Sequence, residues 1–108
     1  MIRLFAVLLL LCTSPSYAEM YTMKVTGFVA KHNEKTSLMT KPKIGYSVAI
    51  SRDKLHLLGK KVYIEGLGVR RIESVMARRI DNTIDVLVPS RKEAKKIGNK
   101  HRRVVILY

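Results

Sequence analysis

Apolar side chains in this chain recur at every second position in short runs, and that period decides the fold class before any other feature is weighed. Tyr21, Met23, Val25 and Val29 alternate with Thr22, Lys24 and Thr26; Val62 and Ile64 share one face of a later run; Ile84, Val86 and Val88 share one face of another, with Asp85 and Leu87 opposite. Successive side chains of a strand point to opposite faces, so each run buries one side and leaves the other. Tyr46 to Ile50 and Val69 to Met76 read as further strands. Arg102 to Tyr108 closes the set, and its run Val104-Val105-Ile106-Leu107 is continuous enough to predict burial on both faces.

Between the strands the breakers are local. Gly27 predicts a bulge or bend in the first strand. Lys31 to Lys43, nearly free of apolar residues and carrying Pro42, reads as a surface loop, and Gly66-Leu67-Gly68 as a tight turn. Lys54 to Gly59 predicts a single turn with Leu55, Leu57 and Leu58 packing inward, and Asp81 and Asn82 are turn residues. Ser90-Arg91-Lys92-Glu93 has the form of a capping box opening one short helix, with Ala94 and Ile97 apolar and Gly98 as its stop. Six short strands and one helix predict a small, mainly β barrel rather than a sandwich with helices on both sides.

At 108 residues the chain holds one domain, which excludes a multi-domain enzyme or a large cofactor-binding fold. Met1-Ile-Arg, the apolar run Leu4 to Leu11 and the small-residue stretch ending Ser16-Tyr17-Ala18 have the order of a secretory signal cleaved after Ala18. The apolar run is about half of the ~20 residues that a membrane span needs. Cys12 is preceded by Leu11, where a lipoprotein signal wants a small side chain. The expected organisation is therefore a signal peptide over 1–18 and one domain over 19–108, exported to the periplasm or the extracellular envelope, with no transmembrane segment after cleavage. Loss of the signal removes Arg3 and the single cysteine, leaving 20 basic and 8 acidic side chains and no thiol. Such a domain is held by its core, not by disulfides.

The formal charge of +13 points to a polyanion, a membrane surface or an acidic matrix. The basic residues are spread over loops, strands and helix, which suits general electrostatics better than base readout, and export argues against nucleic acid as a partner. His32, His56 and His101 lack ligand spacing, and there is neither a Ser-His-Asp arrangement nor a Gly-rich phosphate loop, so no metal or cofactor is expected. Tyr46 and Tyr63 are the aromatic residues that could stack on a sugar face, against core or edge packing as the plainer alternative. For Asp85 the plain alternative is a strand aspartate paired with one of Arg70, Arg71, Arg78 or Arg79.

Four segments carry a family resemblance: Val48-Ala49-Ile50-Ser51-Arg52-Asp53, Gly59-Lys60-Lys61-Val62-Tyr63-Ile64-Glu65-Gly66-Leu67-Gly68, Asn82 to Val88, and Ser90-Arg91-Lys92-Glu93-Ala94. Together they resemble the three-aspartate domain family, over roughly Val25 to Leu107. The resemblance implies a six-stranded double-psi β-barrel, similar to the catalytic barrel of membrane-bound lytic transglycosylase A and to cell-wall domains of resuscitation-promoting factors. It also implies peptidoglycan glycan strands as substrate, with Asp85 as the catalytic acid and base. The family's second aspartate falls on Ser74, and its first falls near Ser51 and Asp53. One aspartate is thus kept, one is replaced, and one is ambiguous between Ser51 and Asp53 two residues on. The implied activity is lytic cleavage of the glycan strand, the alternative being a barrel that binds peptidoglycan or anionic envelope polymers without cleaving them.

Overall fold

A computed structural model describes residues 19–31, 34–77 and 79–108. The export-signal reading and Cys12 fall on residues 1–18, and they lie outside the described residues together with His32, Asn33 and Arg78. The strands are β1 (Glu19–Phe28), β2 (Ser47–Ile50), β3 (Lys61–Ile64), β4 (Gly68–Val75), β5 (Thr83–Leu87) and β6 (Lys100–Leu107). A 3₁₀ turn at Arg52–Leu57 joins β2 to β3, and helix α1 (Arg91–Ile97) joins β5 to β6.

The strands close into a barrel in the ring order β1-β5-β2-β4-β3-β6, with β1–β5 and β2–β4 parallel and the other four pairings antiparallel. Advancing every strand number by three leaves this ring unchanged, so β1 to β3 and β4 to β6 are related by a topological two-fold. The unit β2, 3₁₀ turn, β3 corresponds to β5, α1, β6. The arrangement is compatible with the double-psi class.

Register rows explain the alternation in the sequence. Val25, Ile84, Ile50 and Val75 form one cross-strand row, and Gly27, Val86, Val48 and Ile72 the next. These rows face the interior, where Met23, Val25, Ile50, Ile64, Ile72, Ile84, Val104 and Ile106 are fully buried. Each such side chain contributes about 1.5–3 kcal/mol by leaving water. Leu57 from the 3₁₀ turn and Ile97 from α1 join the same core cluster.

Several local expectations change in three dimensions. β6 is buried on one face only: Val104 and Ile106 point in, while Leu107 is 39% exposed, because its outer side has no covering layer. Leu55 is 54% exposed, since a 3₁₀ turn this short directs only Leu57 fully into the core. Leu87, on the opposite face from Ile84 and Val86, is nevertheless buried. Gly27 keeps its ladder register with Val86 and is needed for a different reason than a bend. A Cβ there would lie 2.9 Å from the Ala94 Cα, so the missing side chain is what lets α1 lie against β1. Half of the capping box forms: Ser90 Oγ accepts the Glu93 N–H at 3.3 Å, while the Glu93 carboxylate pairs with Lys96 at 3.4 Å. Gly98 ends the helix at φ 68°.

Replacing Gly27 by valine is expected to push α1 away from the barrel and lower stability by about 1–3 kcal/mol, as overpacking typically does. Urea unfolding monitored by far-ultraviolet circular dichroism measures this.

Candidate functional site

The outer face of the barrel carries one polar row. Thr26 of β1 is registered with Asp85 of β5, Asp85 with Ala49 of β2, and Ala49 with Ser74 of β4. This row floors a groove of about 580 Å³. Glu34, Lys35, Thr36 and Pro42 from the connection 29–46 form one wall, and Met76, Ala77 and Ile80 another. Lys24 and Phe28 complete the lining.

A bulge in β4 brings Ser74 into the row. Val48 is opposite Ile72, but Ala49 is opposite Ser74, so Glu73 is an extra residue in the ladder. Glu73 is only 5% exposed, and its carboxylate accepts from Ser47 Oγ at 2.6 Å and from an Arg71 guanidinium N–H at 3.0 Å. A charge so deeply covered needs such partners, since leaving one unmade costs more than making it gains. The bulge also fixes the groove wall. The Leu38 N–H donates to the Glu73 carbonyl at 3.2 Å, the Ser37 N–H to Ser74 Oγ at 3.3 Å, and the Val75 N–H to Ser37 Oγ at 3.0 Å.

Asp85 is half-buried on the groove floor and accepts a hydrogen bond from Thr26 Oγ1 at 2.9 Å. Burial raises its pKa above the ordinary 3.8, and the Thr26 hydroxyl offsets part of that rise. Among the described residues no lysine or arginine lies within ion-pair distance of it. Arg71 is engaged with Glu73, and Arg70 donates to the Leu67 carbonyl at 3.2 Å. Ser74 stands two strands away, roughly 10 Å by the spacing of neighbouring strands. The proton affinity of Asp85 therefore comes from its burial, not from a second acid.

Asp53 is not part of the groove. Both its oxygens accept the Asn82 N–H at 3.1 Å, and Lys54 Nζ lies 3.3 Å away. Burial pushes its pKa up, but hydrogen bonds from Ser51, the Asn82 N–H and Lys54, with the Lys54 charge, leave it below the usual value. Its position pins the turn into β5, where Asn82 adopts φ 51°, a conformation asparagine tolerates. Ser51 is buried and accepts the Thr83 N–H at 3.0 Å. Tyr46 and Tyr63 do not line the groove either: the Tyr46 carbonyl accepts the Arg71 N–H at 2.9 Å, and Tyr63 lies exposed on the outer face of β3. The aromatic side chain in the groove is Phe28. Its pairing with the site was hidden in the sequence, as was that of Thr26, because the parallel β1–β5 ladder joins residues 59 apart.

Among the described residues no group of three His, Cys, Asp or Glu could hold a metal ion, and no helix is long and apolar enough to cross a membrane. No family model matches the chain, and no curated protein matches it in sequence.

Two outcomes test this geometry. A carboxyl whose folded pKa is raised gives its full stability below the unfolded value and loses it as pH rises through the folded value. Asp85→Asn should therefore raise Tm by a few degrees at pH 7 and leave it unchanged at about pH 3, below the ordinary 3.8; calorimetry across pH reads the difference. Glu73→Ala should cost about 1–3 kcal/mol by stranding the Ser47 hydroxyl and Arg71, and should hasten protease cleavage within residues 34–43.

Proposed function

We propose that this chain is an exported cell-wall protein of the three-aspartate, double-psi type that cleaves peptidoglycan glycan strands as lytic transglycosylases do, with Asp85 as general acid and base. The observation that carries the proposal is a half-buried carboxyl with raised proton affinity, free of cationic partners among the described residues, on the floor of a groove within the usual size range of small-molecule sites. Protonated Asp85 donates to the glycosidic oxygen as the bond to the muramyl C1 breaks. The resulting carboxylate then takes the proton of the muramyl C6 hydroxyl as that oxygen bonds to C1, closing an anhydro ring and restoring the acid. One carboxyl serves both steps, so the two-carboxylate geometry of hydrolytic glycosidases is not required. Thr26 holds Oδ1, which leaves Oδ2 to carry the proton. Lys24 and Lys35 along the groove suit the carboxylates of peptides attached to the glycan.

A second reading, a barrel that binds peptidoglycan or anionic envelope polymers without cleaving them, is favoured by one specific departure. Ser74 stands where the related enzymes have an aspartate, and on a surface of strong positive charge binding alone is a coherent role. Incubating the purified protein with murein sacculi separates the two. Release of anhydro-muropeptides, detected by mass spectrometry and reduced at least about 10²-fold in Asp85→Asn, supports cleavage. Pelleting with sacculi at low salt, with no sugar released by either form, supports binding; release undiminished in the variant removes Asp85 from the mechanism.

A further inference from the structure

A second groove, of about 350 Å³, lies at the end of the barrel where β1, β3 and β5 finish and β2, β4 and β6 begin. Two arginines line it, Arg70 near the start of β4 and Arg102 near the start of β6. Both occupy interior-facing positions. Arg70 is registered with the fully buried Val62 and precedes Ile72 by two residues; Arg102 is registered with the fully buried Met23 and precedes Val104 by two. The core stripes of two strands thus end in guanidinium groups where the alternation calls for apolar side chains.

One tight turn orients both. The Glu65 carbonyl accepts from Arg102 Nη1 at 3.1 Å, and the Leu67 carbonyl accepts from Arg70 Nη2 at 3.2 Å. Gly66, at φ 81°, leaves the space that the Arg102 guanidinium fills: a Cβ there would lie 2.7 Å from Nη1. Each guanidinium has five N–H donors, so a single carbonyl leaves most of them unspent. Arg102 Nε is buried and has no acceptor among the described residues. Neither arginine has a carboxylate partner there, because Glu93, the acid in the groove, pairs with Lys96 at 3.4 Å. Burial of Arg70 lowers its pKa, in keeping with a cation held partly out of water without a counter-ion.

We infer that this end of the barrel is an oxyanion-binding site, in which Arg70 and Arg102 together take the carboxylate or phosphate group of a small ligand. Two guanidinium groups fixed by one turn present fork-shaped donors that match either group. Leu67, Leu87 and Ile97 give the groove apolar walls suited to a short hydrocarbon portion next to the anion. The site is separate from the Asp85 groove and does not depend on the proposed cleavage.

Titration of the full-length protein with inorganic phosphate, and separately with butyrate, tests it by calorimetry at constant ionic strength in chloride. Saturable binding is expected, weakened about tenfold in Arg70→Gln and in Arg102→Gln, the loss of a charge-assisted hydrogen bond. The control Lys61→Gln/Arg103→Gln removes exposed charge from the outer surface and should bind as the parent does. Preference for phosphate identifies a phosphate group as the natural anion; preference for butyrate identifies a carboxylate with an apolar tail. In the parent protein, the ¹H and ¹⁵N resonances of the Arg70 and Arg102 Nε–H groups should shift with the same midpoint, a readout independent of how the variants fold. Absence of saturable binding by both anions, or binding weakened equally by the Lys61/Arg103 control, overturns the proposal.

Discussion

Everything in this molecule depends on the closure of a hydrogen-bonded ladder around six short strands. β2 and β3 have four residues each, too few for either to persist outside a sheet, and the closed ring gives each a partner on both sides. Two parallel pairings, β1–β5 and β2–β4, make the closure possible. Of the strands consecutive in sequence only β3 and β4 are neighbours in the ring, so the other connections must run outside the ladder. Those connections carry what is distinctive here: Glu34, Lys35, Thr36 and Pro42 wall the Asp85 groove, and the 3₁₀ turn and α1 add Leu57 and Ile97 to the core.

The bulge at Glu73 couples the barrel to the groove. One extra residue in β4 shifts the register so that Ser74 joins the Thr26, Asp85 and Ala49 row, and it offers the carbonyl that tethers Leu38. A buried carboxylate satisfied by Ser47 and Arg71 fixes that irregularity, since breaking it would strand buried polar groups. Asp85, one strand beyond Ala49, is held differently. Among the described residues its side-chain donor is the Thr26 hydroxyl, and the groove keeps water partly away from it. One acid is thus tied down by an ion pair and a hydroxyl, while the other, among the described residues, has a neutral donor and no cation beside it.

The basic side chains do not share one environment. Most of the described basic side chains are exposed to solvent. Arg70 and Arg102 differ because strand alternation turns them toward the interior, where the turn Glu65 to Gly68 meets them with carbonyls rather than carboxylates. Position within the barrel gives two of the many cations a specific geometry that net charge could not reveal.

The period-two spacing of Val62 and Ile64, and of Ile84, Val86 and Val88, was legible in the sequence because burial on one face of a strand leaves its mark on every second residue. So was the helix, since Ser90 and Gly98 act through local backbone geometry. Asp85 could be singled out by its place on the face of its strand opposite Ile84 and Val86. Which residues stand beside it could not be read there. Thr26 meets Asp85 across 59 residues, the Glu73 bulge moves Ser74 by one register step, and Asp53 is drawn off to the Asn82 turn. Gly27, which looked like a break in a strand, proved to be the seat of a helix 67 residues further along. Local sequence determined the strands, the turns and the cap, because those depend on near neighbours. Ladder closure alone decided which strands are adjacent, and therefore which side chains share a groove.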